Sequence, residues 1–188
     1  MADISAQDVK QLRERTGAGM MECKKALVEA KGNMEAAEEI IAKAGLRKVQ
    51  KTASRTAAEG LVLTLLSDDQ KTGALIEINC ETDFVARDSN FKEFCETAVN
   101  LAVSQKTGDL EKLLNTKTAS GKTLEETRQA LVSKIGENVQ LRRAVCLHVG
   151  SGIVGAYTHD NRIGVLVHLT QNKPELVKDI AMHITVMN

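Results

Sequence analysis

The run Leu61-Val62-Leu63-Thr64-Leu65-Leu66-Ser67-Asp68-Asp69-Gln70-Lys71-Thr72-Gly73-Ala74-Leu75-Ile76-Glu77-Ile78-Asn79-Cys80 is where the hydrophobic period of the chain becomes two. Two aliphatic segments flank a polar loop at 67–71, the pattern of a β-hairpin with strands at 61–66 and 74–80. In the second strand Ala74, Ile76, Ile78 and Cys80 share one face, and Glu77 and Asn79, with Glu81 beyond, share the other. Residues 1–45 before this run have helical spacing, so the chain reads as α+β.

Residues 1–45 read as three short helices. Ser5 with Asp8 forms an Asp variant of the capping box, Ile4 and Val9 take the staple positions, and Thr16-Gly17 stops the first helix. Met20, Cys23, Leu27 and Ala30 are spaced for one face of the second, which ends at Gly32. Asn33 caps the third, where Met34, Ala37, Ile41 and Ala44 recur before Gly45. Residues 46–60 then read as a basic linker carrying Arg47, Lys48, Lys51 and Arg55, either a patch for a partner or a solvated tether or helix extension.

After the hairpin, Phe91, Phe94, Cys95, Ala98 and Ala102 mark a helix from about Ser89. A helical stretch at 109–114 follows, and Thr123 with Glu126 caps a helix ending at Ile135-Gly136. Residues 139–149 read as one alternating strand, with Val139, Leu141, Val145, Leu147 and Val149 on a common face. Two more strands flank His159-Asp160-Asn161, and Pro174 opens a last helix through Ile180, Ile184 and Met187. Lys71-Thr72-Gly73-Ala74-Leu75-Ile76-Glu77-Ile78 is echoed by Arg162-Ile163-Gly164-Val165-Leu166-Val167-His168-Leu169. The expected organisation is therefore a helical docking module (1–45), a linker (46–60) and two related core subdomains (61–138 and 139–188).

Composition excludes several classes of function. Lys plus Arg and Asp plus Glu balance at 25 each, which argues against a general nucleic-acid binder. Aromatic residues are 2% of the chain, too few for a base-stacking platform. Cys23, Cys80, Cys95 and Cys146 form no Cys-x-x-Cys pair and have no histidine at ligand spacing, so ordinary thiols of a reducing compartment are expected, with no metal and no disulfide. No glycine-rich phosphate loop or Gly-x-Ser-x-Gly elbow is present, and Gly17-Ala18-Gly19 lacks the lysine and preceding strand that an anion cradle requires. His148, His159, His168 and His183 fall on different elements. No catalytic residue, cofactor or nucleotide of its own is expected, and the chain reads as a non-enzyme. With no signal peptide and no apolar run of the ~20 residues a membrane span needs, a soluble cytoplasmic protein is expected.

What stands out are apolar side chains without an obvious core. Met20 and Met21 cannot both face one small helical core, because neighbouring helix positions differ by ~100°. Phe84 lies in Cys80-Glu81-Thr82-Asp83-Phe84-Val85-Ala86-Arg87, a polar turn beyond the second strand. It is either a contact residue or a plug folded under the turn; the adjacent Val85 favours a contact.

Arg13 with Thr16-Gly17-Ala18-Gly19-Met20-Met21 and Lys24-Lys25-Ala26-Leu27, then Thr82-Asp83-Phe84-Val85-Ala86, together resemble the signatures of the bacterial elongation factor Ts family. Lys134-Ile135-Gly136-Glu137-Asn138, Gly155-Ala156-Tyr157-Thr158-His159 and Ile180-Ala181-Met182-His183 are similar to further family segments, in family order. The resemblance implies a UBA-like three-helix module ahead of the core. It also implies that family chains continue well past His183, so residues 139–188 would be an incomplete subdomain of a truncated chain. The implied activity is guanine-nucleotide exchange on elongation factor Tu, in its nucleotide-free or GDP form, without direct nucleotide, nucleic-acid or membrane binding. The implied contacts are Arg13, Met20 and Met21 as the grip, Thr82, Asp83, Phe84 and Val85 around a wedge, and Ile135, Gly136 and His159 near the partner's phosphate loop. A docking protein without exchange activity is the alternative.

Overall fold

The computed structural model describes residues 4–187. They form two compact units. The first runs to Arg55 and takes in Gln129–Asn138; the second comprises Thr56–Arg128 and the chain from Val139 onward.

The first unit is helical: α1 (Ala6–Thr16), α2 (Met20–Glu29) and α3 (Met34–Thr52). The Ser5–Asp8 capping box is present, with both reciprocal bonds at 3.1 Å. Gly17 closes α1 in the left-handed conformation, and the Asn33 side chain accepts the Ala36 N–H at 2.9 Å. The core is small: Val9, Leu12, Cys23, Ala26, Leu27 and Ala37 are buried, with Ile4, Met34, Ile40 and Ile41 packed around them. Capping matters in such a unit, since α1 and α2 are too short to be stable alone.

Two sequence expectations change here. Gly45 does not end the third helix; α3 continues to Thr52, so the segment read as a linker is helical over most of its basic part. Gly45 is buried, and a Cβ on it would stand 2.9 Å from Ser133 Oγ. The glycine allows close approach of Gln129–Asn138; it is not a stop signal. For the same reason this segment belongs with the helices and not with the residues read as the core N-subdomain.

The second unit holds β1 (Glu59–Leu66), β2 (Thr72–Cys80), α4 (Asp83–Arg87), α5 (Ser89–Ser104), α6 (Leu110–Asn115), β3 (Gln140–His148), β4 (Ile153–His159), β5 (Ile163–Leu169) and α8 (Pro174–Met187). The helix α7 (Leu124–Ile135), capped by Thr123 and Glu126, leads out of it. One sheet has the order β1-β2-β3 and the other is the β4-β5 pair; all pairings are antiparallel.

β2 is the middle strand. Ala74, Ile76, Ile78 and Cys80 are fully buried on the face that meets α5, whose Phe91, Phe94, Cys95, Ala98 and Ala102 are likewise buried. The other face meets the β4-β5 sheet. Here the sequence echo becomes a reciprocal contact. Leu166 lies over Gly73, and Leu75 lies over Gly164. Each leucine follows its own hairpin's glycine by two positions, so the two hairpins lock through like elements.

β3 departs from simple alternation. The register shifts opposite Glu77/Ile78: Leu141 pairs with Ile78, but Arg143 pairs with Glu77. A bulge at that point reverses which side chains face inward. Leu141 therefore shares its face with Ala144 and Cys146, opposite Ile76 and Ala74, and Val145 is 48% exposed. In α8 the buried stripe is Val177, Ala181 and Thr185, while Ile184 and Met187 are exposed.

Glu22 is held below the usual carboxylate range, first by the Lys48 ammonium at 2.5 Å and then by the Gly19 N–H, against an opposing effect of partial burial. The folded value lies below the unfolded one, so the linked stability is complete above the unfolded glutamate pKa and is lost as pH falls through the folded value. Melting followed by helical circular dichroism should show this acid-side loss, and Lys48→Met should flatten it. At the hairpin interface, Gly164→Ala places a methyl on Leu75 and Val62. Urea denaturation should show a loss of about 1–3 kcal/mol; an unchanged midpoint would mean that the sheets yield freely.

Candidate functional site

Phe84 owes its position to the residues around it. The residues from Asp83 to Arg87 form a five-residue helix where a turn was expected. Thr82 caps it, its hydroxyl accepting the Val85 N–H at 3.4 Å, while the Cys80 thiol donates to the Thr82 carbonyl. Val85 and Ala86 are 8% and 6% exposed. At ~100° per residue, burying those two turns the preceding side chain outward. Phe84 is 80% exposed, so it is not a plug. Val85, read as a contact beside it, is buried in this unit and anchors the helix instead. Asp83 pairs with Arg87 at 3.0 Å across one helical turn, both partly in solvent. Asp88 then caps α5 through Asn90 N at 2.8 Å and Phe91 N at 3.3 Å, fixing the far end of the short helix.

His159 is distant in sequence but lies at the same end of this unit. The Asn161 carbonyl accepts the Val62 N–H at 2.7 Å, and Arg162 donates to Glu59 at 2.5 Å. Glu59 pairs directly with Cys80, two residues before the α4 cap. Stacking of the hairpins thus places the β4–β5 turn beside the end of β2. His159 is exposed, with Asp160 at 3.4 Å.

In the first unit, Met20 and Met21 are 45% and 66% exposed at the start of α2. Met20 thus stands outside the buried face of Cys23 and Leu27 on which its spacing had placed it. Arg13, in the last turn of α1, flanks the same short connection; among the described residues its guanidinium pairs with no carboxylate. Val28 extends the surface of α2: it is 59% exposed and lies two turns on from Met21, beyond Lys24 and Lys25. The spacing of Met21 and Val28 was the available signal for it.

Ile135 and Gly136 also belong to the first unit. Gly136 ends α7 with φ +85° and donates its N–H to the Val132 carbonyl at 2.8 Å. Lys48 donates to the Ser133 carbonyl at 3.5 Å, and Arg55 donates to the Gly136 carbonyl at 3.2 Å. Two of the cations of the basic segment are therefore spent on the carbonyl end of a helix, where they also complement its dipole. Asn138, 2% exposed, donates to the Arg55 and Ala53 carbonyls at 2.8 and 3.4 Å.

Burial raises the pKa of the Cys95 thiol far above its ordinary value and raises that of Cys146. Among the described residues, no group of three or more His, Cys, Asp or Glu converges to hold a metal ion, and no helix is long and apolar enough to cross a membrane. The surface offers apolar projections held on short, capped helices, which is the equipment of a protein-binding surface.

Known proteins carry the same sequence pattern. Residues 81–188 match the family described as Elongation factor TS. Elongation factor Ts of Thioalkalivibrio sulfidiphilus is 52% identical over 182 residues, covering 96% of this chain and 62% of that protein. The corresponding proteins of Saccharophagus degradans and Alcanivorax borkumensis are 51% and 52% identical, covering 98% and 96% of this chain. The chain spans about 62% of the length of these relatives. With a match over more than half its length, and relatives at this identity across nearly all of it, the chain belongs to the elongation factor Ts family.

Proposed function

We propose that the chain is a guanine-nucleotide exchange factor for elongation factor Tu, acting in the cytoplasm to support translation elongation. It binds the nucleotide-free or GDP form through protein contacts alone. It carries no cofactor and catalyses no covalent step. The observation that carries this reading is Phe84, a large apolar side chain left 80% exposed on a helix whose other apolar residues are buried. An aromatic ring held in water on a fixed base is suited to insertion into another protein.

In this mechanism Arg13, Met20 and Met21 grip the nucleotide-binding domain of the partner. Asp83 and Phe84 wedge between elements flanking its Mg²⁺ site, so the ion that neutralises the phosphates is displaced. Ile135, Gly136 and His159 press near its phosphate loop. Thr82 and Val85 hold the wedge from behind. Linkage makes the effect reciprocal: the factor by which binding of this chain weakens GDP is the factor by which GDP weakens binding of this chain.

Magnitudes divide the work. Speeding release by ~10⁴ requires the barrier to fall by about 5.5 kcal/mol. Burying one phenylalanine supplies ~1.5–3 kcal/mol. The wedge alone is insufficient, and the methionine grip must favour the distorted partner as well.

Fluorescent-GDP release from elongation factor Tu, with and without this chain, tests the reading. Acceleration supports it; binding without acceleration would leave only a docking protein. Phe84→Ala should leave the melting temperature nearly unchanged, since the ring is exposed, and should slow stimulated release. A variant that melts much earlier yet exchanges normally, once corrected for folded fraction, rejects the wedge. Met20→Ala with Met21→Ala should both slow saturating release and raise the concentration of this chain needed for half-maximal stimulation, measured in the same titration.

A further inference from the structure

The turn after α7 is held from two directions by the end of α3, more firmly than a surface turn requires. Helix carbonyl ends lack internal partners. Here Gly136 N–H satisfies Val132, Lys48 satisfies Ser133, and Arg55 satisfies Gly136. The backbone of Arg55 is itself fixed, because the buried Asn138 amide donates to its carbonyl at 2.8 Å. Residues 136–138 and 53–55 thus close on each other: the Arg55 side chain holds Gly136, and the Asn138 side chain holds Arg55. A buried asparagine donating to two main-chain carbonyls leaves little freedom to either segment.

We propose that Arg55 and Asn138 are positioning residues for nucleotide exchange, locking the Ile135-Gly136 turn in shape before the partner arrives. The proposal rests on the exchange reading above. A turn that must order on contact spends conformational entropy at the moment it should be pressing on the partner; a turn already ordered does not. The lock therefore acts on the maximal rate of stimulated release. The concentration dependence is set by the exposed methionines and Arg13, which the lock does not touch.

Arg55 is exposed, so Arg55→Met removes the guanidinium without opening the core. Fluorescent-GDP release from elongation factor Tu is measured across a range of chain concentrations. The expected result is a fall of about tenfold in the saturating rate, the size of effect expected when charged hydrogen bonding to the turn is lost, with the half-saturating concentration unchanged. Arg55→Lys, which keeps a cationic donor, should recover part of the rate. In the free chain, amide hydrogen exchange of residues 135–138 should quicken in Arg55→Met and in Asn138→Ala while α1 and α2 keep their protection. Equal saturating rates for Arg55→Met and the unaltered chain, or a change confined to the half-saturating concentration, would overturn the lock and leave the exchange reading intact. Absence of stimulation by the unaltered chain would remove both.

Discussion

Burial of β2 on both faces is the constraint from which the second unit follows. One face is sealed by α5 through fully buried Ile76 and Ile78, and the other by the β4-β5 hairpin through Gly73 and Leu75. A strand closed on both sides cannot slip by one residue without moving its apolar set to the wrong layer. That fixes where β2 ends, and so where the Thr82 cap begins. Val85 and Ala86 then have to turn inward to cover the end of the layer, and Phe84 has nowhere to go but outward. The most exposed large apolar side chain of the described residues is a consequence of the most buried strand.

The first unit solves a different problem with similar economy. With few aromatics, its core is made of Val, Leu, Ala and Cys, and it cannot be large. Stability comes from ends. Ser5, Asn33 and Glu22 satisfy helix N-termini, and Lys48, Arg55 and Asn138 satisfy the carbonyl ends of α7 and α3. These are partly exposed, water-competing interactions, each contributing modestly. Together they leave the α2 surface free to carry methionines that the core does not use. Methionine suits such a surface, because an unbranched thioether adapts to the shape it meets.

Hairpin stacking also brings distant sequence together. His159 and Phe84 lie far apart along the chain, yet the Glu59–Arg162 pair and the Val62–Asn161 hydrogen bond set both at one end of the second unit. The reciprocal placement of Leu75 and Leu166 over the glycines of the opposite hairpin shows how an internal repeat can make its own interface. Such an interface is self-complementary for the reason a symmetric dimer's is.

Local physics was legible in the chain alone. The capping boxes at Ser5 and Thr123, the hairpin at 67–71 and the buried face of α5 all depend on residues within a few positions of each other. The same holds for the argument that Met20 and Met21 cannot share one small core, and for the family resemblance, which rests on short contiguous runs. Sequence failed where a partner distant in the chain decided the outcome. Gly45 looks like a helix stop until Ser133 occupies the space beside it, and the alternation of 139–149 looks regular until the bulge opposite Glu77 reverses it. Val85 looks like a contact until α4 turns it inward, and the basic run 47–55 reads as patch, tether or helix extension until Lys48 and Arg55 meet the carbonyls of α7. Propensity, spacing and capping are properties of neighbours and can be read in order along a chain. Which face is buried, which glycine is approached and which cation is already spent are properties of packing, and only the tertiary structure decides them.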